Sequence, residues 1–360
     1  MKKLIKLFLI LPVFVVSCGK SQPVFIPANN SSIEYMGRIG LTDSAKEIYW
    51  PGTSVKIYFK GTSVKALLQD EHGDNYFNVI IDGDSIFMLR PDTTKKYYTL
   101  AENLPNGKHS VELFKRTEWN KGKTWFYGFQ LYNEREQLYK PEPKKRMIEF
   151  YGNSITAGYG IEDFKGDSPD SIFTNNYLTY GALTARHYDA EYSCIAKGGI
   201  GIMVSWFPLI MPEMYKRLNP ADNTSLWDFS KKTPDIVVIN LFQNDSWIVN
   251  MTDNETYKYR FGNKPPPDKE FIINAYKTFV QQIRYVYPNA HIICTLGSMD
   301  ITRKGSPWPG YVEDAVNSFE DEKIYVHFFP YKETSGHPEV KDHAKMAESL
   351  IKFIDGHIKW

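Results

Sequence analysis

At Pro141-Glu142-Pro143-Lys144-Lys145 the hydrophobic period of the chain changes. Ahead of this break, from about residue 33, short runs alternate apolar with polar residues. Examples are Ser54-Val55-Lys56-Ile57-Tyr58-Phe59, Ser63-Val64-Lys65-Ala66-Leu67-Leu68 and Tyr76-Phe77-Asn78-Val79-Ile80-Ile81, interrupted at Gly61-Thr62, His72-Gly73-Asp74 and Asp82-Gly83-Asp84. A period of two sends successive side chains to opposite faces of a sheet, and turn residues at about ten-residue spacing fold each strand back antiparallel to the last. Residues 33–140 therefore read as an all-β sandwich. Behind the break, apolar strand-like runs at 147–151, 190–196, 236–241, 291–296 and 324–328 alternate with helical patterns. Ala275, Phe279, Ile283 and Val286 share one face of a helix predicted over 271–287, and Ala347, Leu350, Ile351 and Ile354 share one over 341–354. Such alternation predicts an α/β unit over 146–360, with a parallel sheet covered on both faces.

The N-terminus carries a different signal. Lys2, Lys3 and Lys6 precede an apolar run at 7–16 and then Ser17-Cys18-Gly19. The run is too short to span a bilayer, and a small residue directly before a cysteine fits a bacterial lipoprotein cleavage site. Residues 1–17 are expected to be a signal peptide, Cys18 the lipidated residue, and 18–32 a tether. The mature protein would then be an exported lipoprotein, periplasmic or at the cell surface, with the membrane as a partner through its anchor. The 43 basic and 42 acidic residues leave no broad electrostatic footprint for nucleic acid. Cys194 and Cys294 lie in apolar runs and read as buried thiols. The histidines at 72, 109, 187, 291, 327 and 357 lack metal-ligand spacing, so no metal site is expected.

In a parallel α/β sheet, ligands gather outside the carboxyl ends of the strands. Four segments fall there. Ser154 follows the first strand in Gly152-Asn153-Ser154-Ile155-Thr156; Gly198-Gly199-Ile200-Gly201 follows the second; Gln243-Asn244-Asp245 follows the third; and Gly336-His337-Pro338 precedes the last helix. A serine in a strand-to-helix turn with a distant histidine is the layout of a nucleophile and its general base. A glycine-rich backbone and an asparagine amide are the donors a developing oxyanion needs.

In that order these segments resemble the four blocks of the SGNH (GDSL-type) hydrolases. Trp50-Pro51-Gly52-Thr53-Ser54-Val55 and Val79-Ile80-Ile81-Asp82-Gly83 are similar to the jelly-roll module that precedes such a domain in carbohydrate esterase family two. The resemblance implies a three-layer, flavodoxin-like domain behind a jelly roll. It further implies a cofactor-free, acetylxylan-esterase-like enzyme that removes acetyl groups from a polysaccharide or oligosaccharide through a serine acyl-enzyme. By the same resemblance Ser154 is the nucleophile, His337 the general base, and the oxyanion donors are Ser154 N–H, Gly199 N–H and the Asn244 amide. Gly201 aligns with the family's glycine as readily as Gly199.

The family's aspartate three residues before the histidine is here Thr334, preceded by Glu333. The imidazole's acceptor is then expected from Glu333, from Thr334 or a backbone carbonyl, or from another loop. Asp245 is expected to support the Asn244 loop, Phe242 to reshape the pocket, and Trp206, Trp247 and Trp308 to offer sugar platforms. Two other readings remain open at this stage: a glycan-binding lipoprotein with a decayed catalytic domain, and an SGNH lipase or thioesterase.

Overall fold

The computed structural model describes residues 23–132 and 138–360. The expected signal peptide and the lipidated Cys18 lie outside the described residues.

Two antiparallel sheets form the N-terminal sandwich. One runs Ile39–Leu41, Lys46–Ile48, Thr124–Tyr132, Ser63–Asp70, Lys96–Ala101; the other runs Ile33–Met36, Ser54–Gly61, Gly107–Lys115, Phe77–Ile81, Ser85–Leu89. The alternation that predicted them is visible in Ser63–Asp70, where Val64, Ala66, Leu68 and Asp70 point inward and the residues between them do not. Their apolar members meet Val55, Ile57, Val79, Leu113 and Phe126 in one core. The sandwich begins earlier than the alternation suggests. Pro23–Pro27, expected to be tether, pairs antiparallel with Thr124–Tyr132, from Pro23 opposite Tyr132 to Pro27 opposite Gly128. Prolines lack an N–H and belong at sheet margins, and here they bracket a strand whose one deeply buried side chain is Ile26.

The C-terminal half is a five-stranded parallel sheet in the order Ala190–Ala196, Arg146–Gly152, Ile236–Asn240, His291–Leu296, Ile324–Phe328. Its inner strands are buried along almost their whole length, as expected of a sheet packed on both sides. Ile148, Phe150, Val238 and Ile293 face the helices Tyr180–His187 and Val340–His357. Tyr151, Val237, Ile239 and Ile292 face Lys269–Val286 and Trp308–Asn317. Each fully buried Leu or Ile on these faces, such as Leu350 or Ile283, contributes about 1.5–3 kcal/mol. The long helix starts at Lys269, slightly ahead of the predicted 271, because the Asp268 side chain accepts from Phe271 N–H and caps it.

In chain order the strands run 2-1-3-4-5, so the winding reverses between Arg146–Gly152 and Ile236–Asn240. Gly152 pairs with both Ala196 and Asn240, which brings three strand ends level at the crevice this reversal opens.

The sandwich is joined to this sheet by buried polar contacts. The Arg38 guanidinium, fully buried, lies 3.2 Å from Glu149 on the strand Arg146–Gly152 and donates to the carbonyls of Tyr215 and Arg217. Glu149 also accepts from Ser193 (2.7 Å) and Tyr287 (2.9 Å). Arg116 donates to the carbonyls of Ile172 and Thr174, and the Trp50 indole to that of Leu218.

Candidate active site

The strand Arg146–Gly152 ends in a turn too tight for any side chain at Gly152, where a Cβ would lie 1.9 Å from Thr156 Oγ1. Asn153 then caps the short helix Ser154–Ala157 by accepting from Ile155 N–H at 3.0 Å. Ser154 is thus a first-turn residue at the switch point, and its N–H has no acceptor within the helix.

His337 arrives from the loop before Val340–His357. Its Nε2 is 2.9 Å from Ser154 Oγ. Tyr159 packs beside the imidazole, ring centroids 4.8 Å apart. The carboxylate on the far side of the ring belongs to Asp167: its Oδ1 lies 3.1 Å from His337 Nδ1, and the two carboxylate oxygens accept the His337 backbone N–H at 3.0 and 3.2 Å. The ring contact has hydrogen-bond length without full alignment, a common state of catalytic contacts before substrate arrives. The interaction with the His337 side chain holds the Asp167 carboxyl below the usual aspartate range, against the opposing effect of burial. Gly336, at φ 74°, lets the backbone approach: a Cβ there would sit 3.2 Å from Asp167 Oδ2.

Of the sources expected for the imidazole's acceptor, the carboxylate found comes from another loop and not from residues 333 and 334. Both are exposed, and the Thr334 hydroxyl accepts from Lys332 Nζ at 2.8 Å. Asp167 was missed because it sits in an aperiodic loop, Asp163-Phe164-Lys165-Gly166-Asp167, that reads as turn chemistry. Asp163 does serve the turn, accepting from the N–H groups of Lys165 and Ser168.

The two candidate glycines differ in geometry. Gly201 donates its N–H to Ser205 Oγ at 2.9 Å, and a Cβ on it would lie 2.0 Å from Val204 O. Gly199, at φ 81°, accepts on its carbonyl from Trp206 N–H at 3.0 Å, and its own N–H finds no acceptor among the described residues. Asn244 is buried; its Nδ2 donates to Ile200 O at 2.8 Å and its Oδ1 accepts from the Trp206 indole at 3.1 Å. Asp245 ties this strand end to the glycine loop by accepting the N–H groups of Ile202, Met203 and Val204, the tightest at 2.7 Å. Burial pushes its carboxyl up to about 6 in spite of those donors.

The sandwich reaches the same loop. Glu118, itself buried, accepts from Gly198 N–H at 3.0 Å. The Lys197 ammonium lies 4.3 Å from the Phe207 ring centroid and 5.4 Å from that of Trp119, and burial lowers its pKa.

The aromatic residues divide. Trp206 is 42% exposed beside Gly199 and Asn244. Trp247 donates its indole N–H to Asp300. Trp308 is interior, its ring 5.1 Å from that of Phe242, and is no open platform. Phe242 adopts φ 79° at the strand end and turns its ring into the core against Tyr276, away from the pocket it was expected to reshape. His343 is buried, accepts from Tyr180 N–H at 3.2 Å, and is held neutral by burial, its pKa pushed down to about 3. Cys194 and Cys294 are free and buried, their thiols raised to about 12 by desolvation. Among the described residues no group of three or more His, Cys, Asp or Glu side chains is arranged to hold a metal ion. A cavity of about 720 Å³ between Ile210 and Phe271 includes neither Ser154 nor His337 in its lining, so this hollow does not mark the chemistry.

A jelly-roll sandwich followed by a 2-1-3-4-5 parallel sheet, with serine, glycine, asparagine and histidine at its switch point, is the architecture of an SGNH-type hydrolase. Residues 35–141 match the family model described as carbohydrate esterase 2 N-terminal. The cellulase/esterase CelE of Acetivibrio thermocellus is 33% identical over 92% of this chain, which spans 40% of that protein's length. An acetylxylan esterase / glucomannan deacetylase of Cellvibrio japonicus is 30% identical, with 85% of this chain and 84% of the other aligned. A solved family two carbohydrate esterase of Clostridium thermocellum, in complex with cellohexaose, matches with a TM-score of 0.76 and 33% identity over 90% of this chain and 98% of that one. The chain belongs to carbohydrate esterase family two.

Proposed function

We propose that this protein is a carbohydrate O-acetyl esterase acting through a serine acyl-enzyme. The observation that carries the reading is Ser154 Oγ at 2.9 Å from His337 Nε2, at the switch point and beside an uncommitted Gly199 N–H. Ser154 Oγ attacks the acetyl carbonyl carbon while His337 Nε2 takes its proton. The N–H groups of Ser154 and Gly199 and the second N–H of the Asn244 amide receive the oxyanion, and Asp167 faces the imidazolium as it forms. His337 then protonates the sugar oxygen, the C–O bond to the sugar breaks, and the acetyl group stays on Ser154. Water, deprotonated by His337, attacks that ester; the bond from the acetyl carbon to Ser154 Oγ breaks, Oγ takes the proton back from His337, and the product leaves as acetate.

An acetylated polysaccharide or oligosaccharide as substrate is supported by the relatives named acetylxylan esterase / glucomannan deacetylase and by the cellohexaose bound to a family member. The test is acetate release from acetylated xylo- and manno-oligosaccharides. Wild type should turn them over and Ser154→Ala should not, with unchanged melting; retained activity in that variant sinks the assignment.

The anchoring reading rests on residues 1–18 alone: an exported bacterial lipoprotein, held at Cys18 and facing the periplasm or the cell surface. Metabolic labelling with a palmitate analogue should mark the wild-type protein and not Cys18→Ser; equal labelling of both refutes it.

A further inference from the structure

Trp206 touches both groups that the esterase reading makes oxyanion donors. Its backbone N–H donates to Gly199 O at 3.0 Å, and its indole N–H donates to Asn244 Oδ1 at 3.1 Å. The indole is a donor only, and Ile200 O, which takes Asn244 Nδ2 at 2.8 Å, is an acceptor only. Between them they permit one orientation of the Asn244 amide: oxygen toward Trp206, NH2 toward the glycine loop. A flipped amide would set NH2 against an indole N–H and oxygen against a carbonyl, two repulsive contacts in a buried place.

The same residue constrains the other donor. The peptide that bears the Gly199 N–H is bounded on one side by Gly198 N–H, bound to Glu118 at 3.0 Å, and on the other by Gly199 C=O, bound to Trp206. These two bonds fix the flanking peptides, and with them the two glycine Cα atoms between which the donor peptide is held. The Trp206 ring lies along the glycine as well, with Cδ1 only 3.3 Å from where a Cβ on Gly199 would stand. Preorganised donors need no reorientation as charge develops, and that is the source of their catalytic effect.

We propose that Trp206 is a positioning residue for the oxyanion hole, its indole N–H fixing the Asn244 amide while its backbone N–H fixes Gly199. This rests on the esterase reading. An exposed tryptophan at the mouth of a sugar site would ordinarily be taken as a stacking surface; that role would act through substrate affinity, whereas positioning acts on the chemical step.

The test compares Trp206→Phe, Asn244→Ala and the double variant with wild type. Trp206→Phe keeps an aromatic ring and the backbone bond, and removes the indole donor together with one of the two fused rings. Steady-state hydrolysis of an acetylated xylo-oligosaccharide is measured, with folded sites counted by titration of Ser154 with an organophosphonate. The expected result is a kcat about tenfold lower in Trp206→Phe with KM within about twofold of wild type, a fraction of the about 10²–10³ typical of losing a whole donor. In the Asn244→Ala background the same change should cost less than about twofold, because the group it positions is gone. An unchanged kcat, a loss confined to KM, or full additivity in the double variant each overturns the proposal. Absence of acetate release by wild type overturns the esterase reading instead, so the two failures are distinguishable.

Discussion

Replacing Asp167 with asparagine keeps the shape of the side chain and one oxygen for the His337 backbone N–H, and removes the charge that faces Nδ1. Charge matters at this point because the imidazolium exists only while the proton from Ser154 is held. Two unit charges 3.1 Å apart, the separation of Asp167 Oδ1 and His337 Nδ1, attract by about 1.3 kcal/mol at the dielectric of water and about 5 kcal/mol at an effective value of ~20. The Asp167 side chain is 38% exposed and that of His337 19%, so screening places the contact toward the lower figure, about 1.5–2.5 kcal/mol. That corresponds to a fall in kcat of about 10- to 70-fold. The assay is steady-state release of p-nitrophenol from its acetate, backed by acetate release from an acetylated oligosaccharide, with KM expected to hold within about threefold. If kcat in Asp167→Asn stays within about threefold of wild type, the charge is not felt at the imidazole and Asp167 serves only to hold the loop.

Asn244→Ala removes a donor from the proposed oxyanion hole and should lower kcat by about 10²–10³ without unfolding the protein, as checked by activity and melting together. Arg38→Met leaves Glu149 buried with its cationic partner gone, and should lower the unfolding free energy by about 3–5 kcal/mol in a denaturant titration. Asp245 gives a pH signature. Its folded pKa of about 6 lies above the unfolded value of about 3.9, so the folded protein holds the extra proton. Its contribution to stability is therefore fully present below about pH 4 and is lost as pH rises through 6, a difference of up to about 3 kcal/mol. In Asp245→Asn this pH dependence between 4 and 6 should disappear from the melting curve; an unaltered profile refutes the buried titration.

Both halves of the fold were legible because burial is periodic. Val64, Ala66 and Leu68 announce a one-faced strand, and Ile236-Val237-Val238-Ile239 one packed on two faces. The positions of Ser154 and Asn244 at the rim follow from the strands directly ahead of them. Asp167 carries no such mark: its partner is 170 residues away, and contact across that separation depends on how the loop at 158–170 lies over the sheet, which no spacing encodes. Trp308 and Phe242 show the opposite failure. Trp308 beside a strand end suggested a sugar surface and Phe242 a reshaped pocket, yet each ring completes the core under Lys269–Val286, because a large apolar side chain gains more from burial than from an open cleft.

Glu118 alters what counts as a module in this protein. The hinge-like stretch at 141–145 invites cutting there and exchanging the sandwich as one would a detachable glycan-binding domain. Yet the Gly198 N–H ends on a carboxylate from the sandwich, and Arg38 and Arg116 are buried in the other half. For anyone grafting or shuffling such proteins, the unit of exchange is the joined pair from residue 23 onward. A chimera that keeps the α/β half but changes the sandwich must carry Arg38, Arg116 and Glu118 with it, or its glycine loop will lose one of its two fixed ends.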